Sequence, residues 1–289
     1  VCLTMRITKL SLLILLLLLS ATIKSQNNNR VTKDKNAIYV PDTLKSNKVI
    51  INVQMIGVGT SEILDTYLSP ETYRGTTATY ISHTLRQREG KSWLRKIVHQ
   101  GCFASVESRS GDGHEISGAY SFSYGLLHSW QLNNKHIKLY AGAQADVYAG
   151  FLYNTCNGNN PAQAKLSLNV SPTAAVDYHF RLFKRVAMLR YEASAPLIGL
   201  MFSPNYGQSY YEIFNKGNYD HNIVPVTTFS TPSLQQMLSL DFTLGRTTMR
   251  IGYLGNYRQA KVNNLKYHDY SHMIVFGLVR HFKITRIIP

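Results

Sequence analysis

Residues 166–182 read LSLNVSPTAAVDYHFRL, and apolar residues occupy every second position from Leu166 to Leu182. Successive side chains of a β-strand point to opposite faces, so this spacing puts the apolar residues on one face. The other face is mostly polar or charged. Half-buried strands of soluble proteins usually have about five or six residues, whereas a tilted strand that spans a bilayer needs about ten. The stretch therefore predicts a membrane-spanning strand.

Similar alternation recurs along the chain. It is clear in residues 116–130, 137–151, 238–244 and 249–258, and weaker in residues 49–59, 74–85, 94–109, 186–195 and 271–282. Residues 94–109 fit neither register throughout, so we expect a bulge there. Pro172 predicts another bulge, because proline cannot donate a ladder hydrogen bond. The pattern predicts an all-β chain that forms a single transmembrane antiparallel up-and-down β-barrel of about 10 strands, between roughly 8 and 12.

The composition agrees with a barrel and bears on its partners. Charged residues make up 16% of the chain, against roughly 25% in a typical soluble domain. After residue 25, no stretch offers the ~20 consecutive apolar residues of a transmembrane helix. The formal net charge of +15 favours contact with outer-membrane lipid and the phosphates of lipopolysaccharide. Nucleic acid is disfavoured, because the basic residues are scattered over the strands instead of massed in one patch.

The N-terminus is typical of a secretory signal peptide. Arg6 and Lys9 give it a positive start, Leu10–Leu19 is apolar, and a short polar segment follows. We expect cleavage after Ser25 and export to the outer membrane. The predicted organisation is a signal peptide at 1–25, a periplasmic lead-in at 26–47, and a barrel at 48–289.

Three stretches carry resemblances to known families. The last predicted strand ends on FGLVRHF at residues 276–282, and together with the signal peptide and the long alternating strands it resembles the Gram-negative outer-membrane barrel families. This resemblance implies a partner, the barrel-insertion machinery, which reads such a closing strand. Residues 196–200 and 206–212, PLIGL and YGQSYYE, resemble a family of uncharacterised barrel proteins with a domain of unknown function. That second resemblance implies no activity.

Candidate chemistry lies on the predicted lumen face. Asp177 and His179 share a face and are weak candidates for a catalytic dyad, whereas a packed network of opposite charges is the stronger interpretation in a narrow barrel. The predicted lumen charge network comprises Lys138, Asp146, Asp177, His179, Arg181, Arg190, Glu192, Asp241 and Arg250. No metal or cofactor is expected, because the histidines are dispersed and no phosphate-binding motif is present. Cys102 and Cys156 show no disulfide spacing pattern, and free thiols are favoured.

The gaps between the predicted strands place longer outer loops at residues 60–73, 110–113, 154–165, 196–232 and 260–270. The loop at 196–232 is unusually apolar, so we expect it to fold over or into the barrel mouth. Its ligand candidates are Tyr206, Tyr210, Tyr211 and Glu212.

The leading hypothesis is a monomeric outer-membrane barrel with a plugged lumen, in a structural, small-ligand or surface-interaction role. The alternatives are an outer-membrane hydrolase acting on lipid or peptide, a narrow pore, and a soluble secreted β-sandwich. Strand length and outward aromatic residues argue against the sandwich.

Overall fold

The structure is a computed structural model, and it describes residues 45–132, 136–158, 160–182, 185–245 and 247–287. The predicted signal peptide and nearly all of the predicted lead-in lie outside the described residues.

The described residues form twelve strands and one short helix, and strands account for most of them. The strands are β1 (Lys45–Asp65), β2 (Ser69–Arg88), β3 (Trp93–Glu107), β4 (His114–Leu132), β5 (Ile137–Asn154), β6 (Ala162–Leu182), β7 (Arg185–Ser194), β8 (Ile198–Phe202), β9 (Ile223–Thr227), β10 (Leu234–Leu244), β11 (Thr247–Val262) and β12 (Leu265–Ile287). The helix, α1, spans Tyr210–Phe214.

Ten of these strands close into a barrel. Each of β1 to β7 pairs antiparallel with its neighbour in sequence, β7 pairs with β10, and β10 to β12 continue the ring. The ring closes where β12 pairs with β1 along the whole of β1, from Lys45 to Asp65. The hairpin of β8 and β9 is not part of the ring. The predicted all-β, ten-stranded antiparallel barrel is confirmed.

We name the two ends of the barrel by their contents. The cap end carries the β8–β9 hairpin, α1 and the end of β1 at Asp65. The base end carries the start of β1 and the turn between β2 and β3, residues 89–92.

Two predicted outer loops are mostly strand. Residues 60–73 contain only a short turn between Asp65 and Ser69, and residues 260–270 contain a two-residue turn at Asn263 and Asn264. Both asparagines have positive φ, 51° and 60°, as tight hairpin turns require. The sequence missed these strand ends because their outward faces carry polar residues such as Glu62, which interrupt the alternation while the backbone ladder continues.

A bulge lies opposite Pro172, in the segment that joins β7 to β8, whereas β6 itself pairs with β5 without a break through Pro172. Thr173 of β6 faces Ser194 of β7, whereas Val170 of β6 faces Ile198 of β8. Two residues of β6 between these pairs therefore oppose three residues on the other chain segment, 195–197. The β8 strand thus continues the line of β7 beyond a bulge, and it carries the chain into the hairpin at the cap end.

The bulge expected in residues 94–109 is absent. β3 pairs with β2 and with β4 in one unbroken register from Leu94 to Glu107. The sequence pattern misled here because both faces of β3 are mixed. The lumen face carries Lys96 and Gln100 beside apolar Val98, and the outer face carries polar His99 beside Phe103.

The outer face of the barrel wall is apolar and its lumen face is largely polar, which is the reverse of the arrangement in a soluble protein. Exposed outer positions carry large apolar side chains, including Phe103, Tyr120, Leu168, Val170, Val176 and Phe276. Buried lumen positions carry serine, threonine, glutamine and charged residues beside apolar clusters. This distribution is typical of a barrel whose outer face meets lipid. No helix in the described part of the chain has the length and apolar content needed to cross a membrane.

The outer face can be tested at Val170, which is 48% exposed near the middle of β6. Val170→Arg should lower the free energy of unfolding by about 2–4 kcal/mol if the site lies near the bilayer midplane, because the guanidinium must enter hydrocarbon. The control Val170→Leu keeps an apolar side chain and should cost far less. Urea unfolding in lipid vesicles measures both, and equal, small effects would show that this face does not meet lipid.

Candidate functional site

Side chains of opposite strands meet inside the barrel. In a ring of ten, strands four or five places apart lie across the lumen from each other. Gln235 of β10 donates to Gln100 of β3, five places away, at 2.8 Å. Lys96 of β3 and Glu192 of β7 are four places apart, and their charged atoms are 2.5 Å from each other. The lumen is therefore filled by contacts that span it.

A group of four buried residues, Lys96, Asp177, Arg190 and Glu192, forms what we call the charged cluster. Arg190 bridges the two acids, at 2.8 Å to Asp177 and 2.8 Å to Glu192. Strand register accounts for the first contact, since Asp177 and Arg190 are direct cross-strand partners. The Tyr140 hydroxyl also donates to Asp177, at 2.8 Å. Two cations and two anions thus neutralise one another toward the base end.

The other predicted lumen charges are distributed over separate contacts. Asp241 and Arg250 form a buried two-pronged pair, with Nε–Oδ1 at 2.5 Å and Nη2–Oδ2 at 2.8 Å. Asp146 accepts from Gln144 and from Ser171. Lys138 donates to the side chain of Gln87 at 3.2 Å.

The predicted catalytic dyad does not assemble. No hydrogen bond joins Asp177 to the ring of His179 among the described residues, and Asp177 is occupied by Arg190 and Tyr140. His179 is half-buried and Arg181 is exposed, and neither forms an ion pair within the part of the chain that the structure describes. Lys96, which the sequence reasoning missed, completes the charged cluster instead. The register of β3 is what places Lys96 on the lumen face.

Between the charged cluster and the cap end lies a cavity of about 120 Å³. Hydroxyl and amide side chains form much of its wall, among them Ser123, Gln144, Ser171, Ser194, Asn169 and Asn256. Two cross-lumen contacts border it toward the cap end. Lys165 of β6 pairs with Asp65 of β1 at 2.6 Å, and the guanidinium of Arg258 lies 4.5 Å from the ring centre of Tyr148.

The β8–β9 hairpin covers the cap end through an apolar contact. Val226 of β9 packs with Ala260 and Val262 of β11, and Met201 of β8 and Val224 of β9 join this cluster. Because the clustered residues of β11 share a face with lumen-lining Asn256 and Arg258, the hairpin lies against the inner side of the wall.

The loop between β8 and β9 is tied to the rim of the barrel by two tyrosines. The Tyr210 hydroxyl accepts from the backbone N–H of Ala164 at 2.7 Å. The Tyr67 hydroxyl donates to the backbone carbonyl of Gln208 at 3.0 Å, and burial raises the pKa of Tyr67 to about 12. The rings of Tyr67 and Tyr210 pack edge to face, with centres 6.0 Å apart.

The four loop residues singled out as ligand candidates have different surroundings. Tyr210 is engaged with the rim, and Glu212 forms a capping box with Ser209 at the start of α1. Hydrogen bonds from Ser209 lower the pKa of Glu212. Tyr206 and Tyr211 are 72% and 60% exposed. A ligand role for these residues stays a prediction.

One pair of residues bears on the hydrolase alternative. Ser105 of β3 and His114 of β4 bring Oγ and Nε2 to 2.8 Å, which is the distance between a serine nucleophile and its base. No side chain orients the other ring nitrogen of His114 among the described residues. Two further outer-wall histidines make similar bonds to hydroxyls, His99 with Tyr120 at 2.7 Å and His272 with Tyr253 at 2.6 Å. The bond between His114 and Ser105 is therefore one of three similar bonds between a histidine of the barrel wall and a hydroxyl group.

The described residues contain no cluster of histidine, cysteine, aspartate and glutamate that could hold a metal ion. Cys102 and Cys156 are both free. The Cys102 thiol lies 3.3 Å from the Thr79 hydroxyl, and the Cys156 thiol donates to the Asp112 carbonyl at 3.1 Å. Each thiol is thus engaged in its own local contact.

The Asp241–Arg250 pair allows a clean test of buried charge. Asp241→Leu alone should destabilise the barrel by about 3–5 kcal/mol, because it leaves the buried Arg250 guanidinium without a partner of opposite charge. The double variant Asp241→Leu/Arg250→Leu should recover most of this loss. Unfolding of the wild type, both single variants and the double variant gives the coupling energy. Additive losses in the double variant would contradict the buried pair.

Comparison with solved structures finds β-barrels of bacterial membranes at low sequence identity. The outer membrane protease OmpT from Escherichia coli is 8% identical, with a TM-score of 0.43, and the match covers 86% of this chain and 99% of that one. For neisserial surface protein A the identity is 10%, the TM-score 0.33 and the coverage 79% and 96%. For Ail of Yersinia pestis these values are 10%, 0.30, 80% and 98%.

Comparison with curated proteins finds no match. A family described as "Protein of unknown function (DUF3316)" matches residues 10–287, almost the whole chain. The matched residues include the closed ring of ten strands, with its apolar outer face and polar lumen. The chain belongs to the DUF3316 family, and its fold is a closed, ten-stranded antiparallel β-barrel.

Proposed function

We propose that this protein is a non-conducting, monomeric barrel of the outer membrane whose closed lumen holds a binding cavity for a small molecule. The observation that carries the proposal is the series of cross-lumen contacts. From the base end to the cap end, they are Lys96–Glu192, Gln100–Gln235, Tyr148–Arg258 and Asp65–Lys165. The cavity lies within this series.

Physical limits on barrel size support a plugged lumen. Eight strands are just filled by side chains, whereas barrels of about 16 strands leave a water-filled channel. Ten strands lie close to the filled limit. An ion passing through would also have to separate the buried partners of the charged cluster, which is costly because each charge would lose its compensation. Passive conduction is therefore expected to be negligible.

The location of the protein rests on the outer face and the N-terminal sequence. The signal peptide at 1–25 directs export, and the closing strand engages the barrel-insertion machinery. With the cap end outside, the positive net charge of the chain favours contact with lipopolysaccharide phosphates. A closed ring has no unpaired edge in the membrane, so a single copy satisfies its own backbone.

Cell fractionation tests this location. The protein should sediment with the outer membrane, and its gel mobility should change on boiling, because a folded barrel resists detergent until it is heated. Release with the soluble periplasmic fraction, with mobility unchanged by boiling, would overturn the membrane location.

Electrical recording in planar bilayers tests the closed lumen. The intact protein should show no stable conductance. Deleting residues 198–227 should open at most a small conductance, because the charged cluster still closes the base end. The deletion suits the structure, since the Thr228 N–H donates to the Leu197 carbonyl at 3.1 Å and a two-glycine link joins these residues without strain.

Two further variants locate the barrier. Lys96→Ala/Glu192→Ala should conduct little while the cap is present. Combined with the deletion, it should conduct more than either variant alone, because two barriers in series have been removed. Heat-modifiable mobility confirms that each variant is folded. Large, steady conductance from the intact protein would contradict the closed-lumen proposal and favour a pore.

A further inference from the structure

The cavity wall contains buried amide groups that lack partners. Asn256 is 1% exposed, and neither its Nδ2 nor its Oδ1 has a hydrogen-bond partner among the described residues. Gln144 is 3% exposed, and its Oε1 has none either, although its Nε2 donates to Asp146 at 2.7 Å. A buried polar group without a hydrogen-bond partner is costly to keep in a folded protein. Native proteins rarely keep one without water or a ligand to satisfy it.

The two amides lie on opposite sides of the cavity. Asn256 is on β11 and Gln144 is on β5, which are four places apart in the ring of ten strands. Both side chains line the same cavity. A molecule in the cavity is therefore offered the two N–H donors of the Asn256 amide and two carbonyl acceptors, one from each side, and serine hydroxyls also line the cavity.

The charged groups of the wall are already engaged. Lys165 is paired with Asp65 at 2.6 Å, and Arg258 lies 3.7 Å from Asp269. Asp146 accepts two hydrogen bonds from neutral donors, Gln144 and Ser171. An anionic ligand would lose its hydration and find no free cation, which is unfavourable in a buried site. A cationic ligand would meet the Asp146 carboxylate, but each oxygen of Asp146 already accepts a hydrogen bond from a neutral neighbour. The free groups are amides and hydroxyls, so the cavity favours a neutral molecule.

The volume limits the size of that molecule. An apolar cavity of about 150 Å³ holds benzene, which has six non-hydrogen atoms. The cavity here is about 120 Å³, and its wall combines apolar surface with amide and hydroxyl groups, so a ligand of similar size needs apolar carbons together with donors and acceptors. Adjacent hydroxyl groups supply both, because each hydroxyl donates one hydrogen bond and accepts others.

We infer that the cavity binds a neutral short polyol, the size of glycerol or erythritol, held between Asn256 and Gln144. The inference rests on the proposed function, since it needs the closed cavity. Exchange with solvent takes place at the cap end, which is closed by the hairpin and its loop, whereas buried ion pairs fill the base end.

Ligand-observed NMR tests the inference with the full mature barrel in detergent micelles. Saturation-transfer signals are recorded for glycerol, erythritol, the cation 3-amino-1,2-propanediol and the anion glycerate. Each compound is titrated up to about 100 mM. A neutral polyol should bind saturably and about tenfold more tightly than either charged analogue. A direct signal is needed because polyols also stabilise proteins by exclusion from the surface.

Three variants make the result specific to the site. Asn256→Leu keeps the volume but removes the amide, and it should weaken polyol binding about tenfold, as expected for the loss of roughly 1.4 kcal/mol. Gln144→Met on the opposite wall should weaken it as well. The control Asn52→Leu changes a residue of β1 that bonds Thr84 at 2.8 Å, on the opposite face from lumen-lining Val53, and should leave binding unchanged. Heat-modifiable mobility checks folding in each case.

The outcomes separate this inference from the proposed function. Tighter binding of a charged analogue, or binding that is unaffected by both wall variants, would overturn the polyol inference. Absence of saturation for every probe would mean that the cavity holds only water, and would overturn it too. Neither result bears on conduction. A conducting intact protein would remove the closed cavity on which both proposals depend.

Discussion

The pairing of β12 with β1 is the constraint on which the rest of the structure depends. Hydrocarbon offers no hydrogen-bond partner, so a sheet in a bilayer must close on itself. The two strands pair from Lys45 to Asp65 without a shift in register. Closure after ten strands sets the width of the lumen, and this width brings side chains of opposite strands within reach of each other. The charged cluster, the Gln100–Gln235 bond and the Asp65–Lys165 pair all follow from that distance.

Charge neutralisation in the lumen is a condition for closure more than a source of stability. A buried ion pair often contributes little compared with apolar residues of similar size, whereas a single unpaired charge costs several kcal/mol. The lumen meets this condition locally: Arg190 lies between two acids, and Arg250 has its own acid on the neighbouring strand. Apolar residues fill the space between these contacts, as in the cluster of Met55, Ile81 and Met237.

Much of the fold could be predicted because one-sided contact with lipid imposes alternation. β5 and β6 carry an apolar outer face along most of their length, as contact with lipid would require, and their faces were predicted residue by residue. Prediction failed where that contact ends or where the lumen is apolar. The ends of β1, β2, β11 and β12 carry polar residues outside, and β3 mixes both characters on both faces. The bulge opposite Pro172 was predictable because a missing N–H is a local property of one residue.

The candidate site was less predictable, because it depends on pairs of residues that are far apart in sequence. Asn256 and Arg258 were predictable as lumen-facing residues from alternation alone. That Arg258 lies over Tyr148, and that Asn256 has no partner, depends on which strands oppose each other across the ring. Lys96 illustrates the same limit, since its acid lies 96 residues away on β7. Local pattern determines which face a side chain occupies, whereas ring closure determines what it meets there.

The lumen is closed by different interactions at its two ends, and this difference makes one end easier to open than the other. At the base end, closure relies on compensated charges, and opening it would expose several of them at once. At the cap end, closure relies on a small apolar cluster around Val226 and on single hydrogen bonds from Tyr67 and to Tyr210. Each of these bonds contributes only about 0.5–1.5 kcal/mol. Local opening therefore costs least at the cap end, so the cavity opens more readily toward the cap end than toward the base end.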